Sequence, residues 1–411
     1  VLQATAYNLH FFRDNSAIVR GYEIGGVFMS IDSYVDKRPA FFPFLISMVH
    51  DIAGFRPANA FALNTGLFAL TLGLVYWIGR QLNGWRGGLL GVALLGSLPL
   101  FAQNATSAGM ELLNFCMVVV AIILSAAWLR RPDEERLSAF VLAVVLLAQS
   151  RYESALYVLP AAIAIVWGWW RAQRIVLSWM TMLAPLLLVP VALQQKVLSN
   201  SPVMWELRSN QTSRFSLDYL GGNLQGAWQF FFSEDQTLAS SRALTVAGAL
   251  ALLVVAGLIL RRRHSWREWA PLSASLLLFG GGIIAITALM MFYYWASFND
   301  PMASRFALPL YLLLVFSVVV AAGWADRKIP ASNVGLVAIA AFILAVSAPK
   351  QSYHFYSHLG NDELAWEQRV VEARPPGTRL ILSNKSTLPW LITSTPAIVL
   401  DRARAVADRL A

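Results

Sequence analysis

Residues 104–129 read NATSAGMELLNFCMVVVAIILSAAWL, a short polar turn followed by a long apolar run that opens near Glu111. The apolar part is about as long as the ~20 residues that an α-helix needs to cross a lipid bilayer. Glu111 is its only charged side chain before Arg130. The stretch therefore predicts a transmembrane helix with one carboxylate at its edge.

Apolar runs of this kind recur along most of the chain. Hydrophobic residues make up 57% of the 411 residues and charged residues 13%, whereas about a quarter of an average soluble chain is charged. This composition excludes a water-soluble protein. The fourth and fifth runs are separated only by the residues around Arg151, and the sequence leaves open whether they form one bent hairpin. We predict ten spans, at 58–80, 87–102, 109–129, 137–150, 152–170, 175–195, 243–260, 268–291, 306–323 and 332–348.

The basic residues predict how these spans are oriented. The net charge is +9, but Arg and Lys cluster in alternate loops rather than along one helix face. Because basic residues near span ends favour the cytoplasm, these loops mark the expected cytoplasmic side, and nucleic acid is not an expected partner. The clusters are Arg80 with Arg86, Arg130 with Arg131 and Arg136, Arg171 with Arg174, Arg261 to Arg263 with Arg267, and Arg327 with Lys328.

Longer polar segments fall on the opposite, extracytoplasmic side. Residues 1–57 include PAFFPFLISMVHDIAGF, which is too short to span and predicts a helix lying in the membrane interface. Residues 58–348 form the transmembrane domain, with a long outer loop at 196–242. Residues 349–411 alternate helix and strand patterns and predict a small α/β tail. The expected fold is thus an all-α polytopic membrane protein with interfacial helices in its outer loops.

Two candidate groups lie in the first outer segments. Lys37 and Arg38 follow Asp36 at the entrance of the interfacial helix, where they could bind a phosphate or extend toward lipid headgroups. Glu111 begins an otherwise apolar span. A carboxylate at that depth is a site hypothesis, although a Glu in the first turn of a helix is also favourable.

Two more candidate groups stand at later outer turns. Arg151, Tyr152 and Glu153 connect two spans, and Arg151 and Glu153 could form a structural ion pair or serve a ligand. Arg305 precedes a long apolar span on the outer side, against the positive-inside tendency. An anionic ligand would explain it, and so would Asp300 as a partner.

The order of these parts resembles that of the GT-C glycosyltransferases, the protein mannosyltransferase superfamily whose bacterial members include the lipid A aminoarabinose transferase. The resemblance rests on DKRPAFFPFLISMVHDIAGF (36–55), RPANAFALN (56–64) and SAGMELLNF (107–115). It implies an integral enzyme of the bacterial inner membrane with its active site on the periplasmic face. Such an enzyme moves a sugar from a polyprenyl-phosphate donor to a lipid, glycan or protein acceptor, and a divalent metal could assist.

The resemblance also implies roles for single residues. Lys37 and Arg38 match the family's Lys-Pro step near the donor phosphate, and Arg305 in SRFALP matches an Arg-aromatic step on the phosphate side. Glu111 matches the second acidic position of the outer loops and is the candidate catalytic residue. Asp36, Arg151, Tyr152 and Glu153 are further candidates.

One departure and two alternatives remain open. The family's first acidic motif, expected to supply the general base, has no counterpart at Asp14, Glu23, Asp32 or Asp36, which implies that the chain starts downstream of it and leaves open whether this polypeptide alone is active. The number of spans would also suit a transporter or lipid flippase, which predicts polar residues at mid-membrane depth. A non-catalytic membrane partner with the same fold is a third reading.

Overall fold

The described part of the chain is mostly helical. A computed structural model describes residues 1–24, 27–36, 38–199, 213–261, 269–328, 332–356, 359–373, 380–384 and 387–405. The helices are α1 (Leu2–Phe12), α2 (Phe41–Ala53), α3 (Asn59–Gly96), α4 (Pro99–Ala105), α5 (Glu111–Arg130), α6 (Glu134–Ala148), α7 (Val158–Ala172), α8 (Trp179–Leu187), α9 (Val189–Ser199), α10 (Leu220–Phe232), α11 (Arg242–Arg261), α12 (Pro271–Met290), α13 (Leu308–Asp326), α14 (Ser332–Tyr356), α15 (Leu359–Glu372), α16 (Leu388–Leu391) and α17 (Leu400–Ala405). The strands are β1 (Ala17–Ile24), β2 (Val27–Tyr34), β3 (Ile381–Ser383) and β4 (Ala397–Val399).

All ten predicted spans coincide with helical structure, which confirms a multi-pass membrane protein. Within the described ranges, six segments are long and apolar enough to cross a membrane. The predicted span 175–195 is broken between α8 and α9, with Pro185 inside α8. The total of ten crossings therefore stays a prediction. The six segments are Asn59–Gly96, Glu111–Arg130, Glu153–Ala172, Arg242–Arg261, Pro271–Met290 and Ser304–Asp326.

Helix α3 consists of two antiparallel legs rather than one straight rod. Asn83 (φ −147°, ψ 40°) and Gly84 (φ 62°, ψ −168°) leave helical geometry, and only glycine adopts the second conformation without strain. The chain reverses at this point. A Cβ on Gly79 would collide with the carbonyl of Gly87, although residues eight positions apart lie about 12 Å from each other in a straight helix. The first two predicted spans are thus separate legs joined by a glycine turn.

Contacts divide the described residues into two units, a terminal unit (1–63 with 357–411) and a helical bundle (64–356). In the bundle, α5 packs against α6, α7 and α12, while α11 packs against α13. Helix α5 is apolar on all sides, as expected of a helix surrounded by others. Trp128 near its end is fully buried and donates from Nε1 to the Ala164 carbonyl at 3.1 Å.

The terminal unit contains a β-hairpin that the sequence analysis did not predict. Strands β1 and β2 pair antiparallel, and they pack with α1 through a small core of Ala4, Tyr7, Ala17, Ile18 and Leu391. The mostly helical fold is as predicted, and this hairpin is a local addition to it in the outer segment. Further along the same unit, β3 and β4 pair in parallel and α17 follows β4, as the α/β pattern of the tail predicted.

Helix α2 has the two faces expected of a helix at a membrane interface. Phe42, Ile46 and His50 are buried at helical spacing. On the opposite side Phe44, Met48 and Ile52 are exposed, Ile52 to 85%. Three exposed apolar side chains in one row suit contact with lipid rather than water.

Candidate active site

Four charged side chains meet at one end of the helical bundle. Glu111 begins α5, Arg151 and Glu153 lie where α6 connects to α7, and Arg305 lies in the turn Ser304–Ala307 that leads into α13. Glu111, Arg151 and Glu153 are only 3%, 2% and 8% exposed. Because buried charges are costly unless they are paired, this charge cluster (Glu111, Arg151, Glu153 and Arg305) requires internal partners.

Two ion pairs supply those partners. Arg305 Nη1 lies 2.9 Å from Glu111 Oε1, and Arg151 Nε lies 2.7 Å from Glu153 Oε1. Arg151 Nη1 is 3.9 Å from Glu111 Oε1 and so connects the two pairs. Two carboxylates face two guanidinium groups, and the formal charges balance.

The charge cluster also leaves polar atoms without a hydrogen bond. Arg151 Nη2, Glu153 Oε2 and Arg305 Nε are buried and have no hydrogen-bond partner in the described part of the protein. Most buried polar groups in proteins do have one. These atoms lie around a narrow pocket whose wall includes Phe115 and Ile283. The two arginine nitrogens are unsatisfied donors on residues that line this pocket, and an anionic ligand would use them.

The loop before Glu111 is fixed by an asparagine and a glycine. Asn64 Nδ2 donates to the carbonyls of Ser107 at 2.7 Å and of Gly109 at 2.8 Å. A Cβ on Gly109 would collide with Glu111 Oε2. Sequence analysis did not select Asn64 or Gly109. The carbonyls that Asn64 binds lie far along the chain, and the approach of Glu111 to Gly109 depends on the conformation of the turn.

The turn that carries Arg151 is fixed from α5. Asn114 Oδ1 accepts hydrogen bonds from Ser150 Oγ at 2.9 Å and from Ser154 Oγ at 2.5 Å. Arg151 Cζ lies 4.6 Å from the ring centre of Phe306, a cation–π distance. The orientation of Arg151 is therefore set by α5, by its own turn and by the residue after Arg305.

The structure also corrects one predicted partner. Arg305 pairs with Glu111 and not with Asp300, whose Oδ1 instead accepts from the Met302 amide at 2.7 Å. The predicted Arg151–Glu153 pair is present, and Tyr152 lies partly buried between them in the chain.

The remaining predicted site residues belong to the terminal unit. Arg38 Nη1 donates to both carboxylate oxygens of the buried Asp36 at 3.1 Å. Lys37 lies outside the described residues. Among the described residues, no three His, Cys, Asp or Glu side chains are grouped as metal ligands, and both carboxylates of the charge cluster face guanidinium groups, so assistance by a divalent metal stays a hypothesis.

Charged residues of the six long segments all lie at helix ends. In Glu111–Arg130, Glu153–Ala172, Arg242–Arg261 and Ser304–Asp326 they occupy the first or last two positions, and Pro271–Met290 has none. In α3 they flank the glycine turn. A transport path would need polar groups at mid-depth, so the distribution favours a site at the membrane surface.

Comparisons with known proteins identify the fold. Residues 37–193 match the family described as dolichyl-phosphate-mannose-protein mannosyltransferase. The fold is similar to that of ArnT from Cupriavidus metallidurans bound to undecaprenyl phosphate, with a TM-score of 0.57 and 11% identity over 99% of this chain and 83% of that one. It is also similar to the oligosaccharyltransferase of Archaeoglobus fulgidus in complex with Zn and sulfate, with a TM-score of 0.56 and 12% identity over 97% of this chain and 57% of that one. No curated protein sequence matches the chain significantly.

These likenesses define the fold. The chain has a fold similar to that of ArnT and of the oligosaccharyltransferase, and it spans little more than half the length of the latter. The matched family is the one that the sequence around Lys37 and Glu111 was predicted to resemble, and its model covers residues 37–193 of the 411.

Proposed function

We propose that this protein transfers a sugar from a polyprenyl-phosphate donor to an acceptor outside the cytoplasm, which can be a lipid, a glycan or a protein. The observation that carries the proposal is the ion pair between the buried Glu111 and Arg305, which lies at the starts of two spans in a fold similar to that of ArnT. The similarity to ArnT, a protein whose structure holds undecaprenyl phosphate, supports the class of donor.

The chemistry explains why an arginine is needed at this place. The acceptor attacks the anomeric carbon, the bond from that carbon to the phosphate oxygen breaks, and polyprenyl phosphate leaves with one more negative charge. A guanidinium group placed where this charge develops stabilises the transition state. Arg305 has a planar fork that can hold two phosphate oxygens. Attack from the side opposite the phosphate inverts the anomeric configuration.

Glu111 has a matching role in this proposal. Its carboxylate is held by Arg305 in the structure, so a donor phosphate that binds Arg305 competes with it. The displaced carboxylate can then accept the proton that the attacking acceptor loses. Arg151, which is 3.9 Å from Glu111 Oε1, keeps the released carboxylate in place. Lys37 and Arg38 are proposed as further donor-phosphate contacts.

The charge pattern supports an extracytoplasmic site. Helix α5 runs from Glu111 to Arg130, and the segment that opens at Arg305 ends next to Arg327 and Lys328. In both cases the basic end opposite the charge cluster is the one that the positive-inside rule places in the cytoplasm. This pattern supports the proposal that the charge cluster lies on the periplasmic side of a bacterial inner membrane.

The test is sugar transfer from radiolabelled polyprenyl-phosphate sugars in membranes that contain the natural full-length protein. We expect Arg305→Ala to lower the transfer rate about 10²- to 10³-fold, as the loss of one oxyanion-stabilising donor does, and Glu111→Gln to lower it strongly as well. Arg242→Ala is a matched control, because Arg242 is an exposed cation at the start of α11 that pairs with Glu234. Wild-type rates in well-folded Arg305→Ala and Glu111→Gln proteins would refute the proposal.

A further inference from the structure

A long apolar groove lies on the bundle, and at its apolar end it shares the wall residue Ile283 with the pocket at the charge cluster. Helices α11 and α12 each pack on α13, and the groove runs between them over a volume of about 1110 Å³. Small-molecule sites usually measure ~300–1,000 Å³. Its walls are apolar side chains from all three helices, for example Leu253, Leu277 and Phe316.

The groove has the length of a lipid chain rather than of a compact ligand. Along α13 its lining extends from Leu312 to Arg327, just after the helix end, and these fifteen steps correspond to about 22 Å of helix. One leaflet of a bilayer core is about 15 Å deep, half of the usual ~30 Å. The groove therefore reaches from one membrane surface past the middle of the membrane.

Among the described residues that line the groove, the cations stand at one end. Arg327 and Lys328 line it at the end of α13, next to Trp269 at the start of α12. Arg327 Nε donates to the Gly323 carbonyl at 2.9 Å, so this side chain is anchored along its own helix. At the other end the lining residues Leu312 and Ile284 are apolar. A ligand that fits this distribution has a negative headgroup at the Arg327 end and hydrocarbon beyond it.

We propose that this groove binds an anionic phospholipid from the leaflet on the Arg327 side, with its acyl chains between α11 and α12 and its phosphate on Arg327 and Lys328. Basic pockets between membrane helices are known to hold acidic lipid headgroups, and a Trp at the rim suits the headgroup level. The prenyl tail of a sugar donor fits less well, because its phosphate would lie at Arg305 and leave only hydrocarbon at the two cations.

Two substitutions test the headgroup and the chains separately. The double variant Arg327→Gln/Lys328→Gln removes the charge, and its control is Arg131→Gln/Arg174→Gln, which removes two exposed cations outside the groove. Gly281→Trp fills the groove, since Gly281 lines it and a Cβ there meets nothing within 4 Å. Gly257→Trp is the control, because Gly257 on α11 is equally unobstructed but is not part of the lining.

The measurement is native mass spectrometry of the purified protein titrated with phosphatidylglycerol or phosphatidylcholine. We expect wild type to prefer phosphatidylglycerol, the charge variant to bind it roughly tenfold more weakly, Gly281→Trp to lose binding of both lipids, and both controls to match wild type. Equal binding of the two lipids, or unchanged phosphatidylglycerol binding in both test variants, would overturn the inference. So would loss of polyprenyl-phosphate binding in Gly281→Trp while phosphatidylglycerol binding persists, since the groove would then hold the donor tail. Sugar transfer is not the readout, so this result is independent of the proposed enzymatic function.

Discussion

Glu111 and Arg305 form an ion pair across the starts of two membrane spans, with Nη1 of the arginine 2.9 Å from Oε1 of the glutamate. The glutamate side chain is 3% exposed and the arginine side chain 21%. Each residue begins a long apolar segment, so the pair fixes the ends of α5 and α13 relative to each other. Its removal is expected to affect both the stability of the bundle and its chemistry.

The stability effect should depend on whether one partner or both are removed. Glu111→Gln alone leaves Arg305 without its carboxylate, and breaking a buried pair in this way costs up to about 3–5 kcal/mol. The double variant Glu111→Gln/Arg305→Gln should cost clearly less than the sum of the two single variants. Thermal unfolding in detergent gives the coupling through a double-mutant cycle. Additive losses would mean that the pair contributes no coupling energy.

Gly109→Ala should impair sugar transfer without a large loss of stability. The new Cβ collides with Glu111 Oε2 and must displace the carboxylate, and a misplacement of about 1 Å in an active site can cost ~10²-fold in rate. Gly96→Ala is the control, because a Cβ there meets nothing within 4 Å. Transfer rates at equal amounts of folded protein provide the comparison. If Gly109→Ala and Gly96→Ala were equally active, the position of Glu111 would not matter for transfer.

Gly84→Ala should destabilise the turn of α3. The φ of 62° and ψ of −168° at Gly84 are strained for any residue with a Cβ, at a cost of roughly 1–3 kcal/mol. Gly73→Ala in the first leg is the matched control, since its Cβ meets nothing within 4 Å and alanine is the better helix former. Unfolding midpoints of both variants can be compared directly. A midpoint for Gly84→Ala at or above that of Gly73→Ala would contradict the strained turn.

Acid should weaken the terminal unit through His50. Burial, and then the neighbouring His10, lowers the pKa of His50 from 6.5 to about 4, and its Nδ1 lies 2.9 Å from the Asn59 amide nitrogen. Between these two values only the unfolded chain binds the proton, so stability falls as the pH is lowered from about 6.5 toward 4. His50→Gln should flatten this part of the profile of unfolding midpoint against pH. An equally steep profile in the variant would assign the dependence to other groups.

The sequence predicted the helices well because bilayer thickness imposes a length and an apolar composition that are visible in one dimension. The residues of the charge cluster were also found, since a charge at the edge of an apolar span is conspicuous. The way in which these residues pair was not predicted from the sequence. The match of Arg305 with Glu111 rather than Asp300 depends on how α5 and α13 pack, and hydropathy contains no information about that.

The β-hairpin and the supporting residues were missed for different reasons. Strands β1 and β2 lie in a polar outer segment, where a short alternating pattern is a weak signal beside the apolar runs. Asn64 and Gly109 look like ordinary helix and loop residues in the sequence. Their importance comes from backbone carbonyls and a carboxylate that only the folded chain brings to them.

Charges at both ends of the long helices make the position of the protein in the membrane depend on bilayer thickness. From Glu111 to Arg130 the rise is about 28 Å, close to the ~30 Å hydrocarbon core of an ordinary membrane. A thicker or thinner bilayer would draw charged ends into hydrocarbon or lift apolar side chains into water, and the spans would tilt to compensate. The height of the charge cluster above the lipid headgroups is therefore set by membrane thickness, which ties the access of any lipid-borne molecule to the acyl-chain composition of the host membrane.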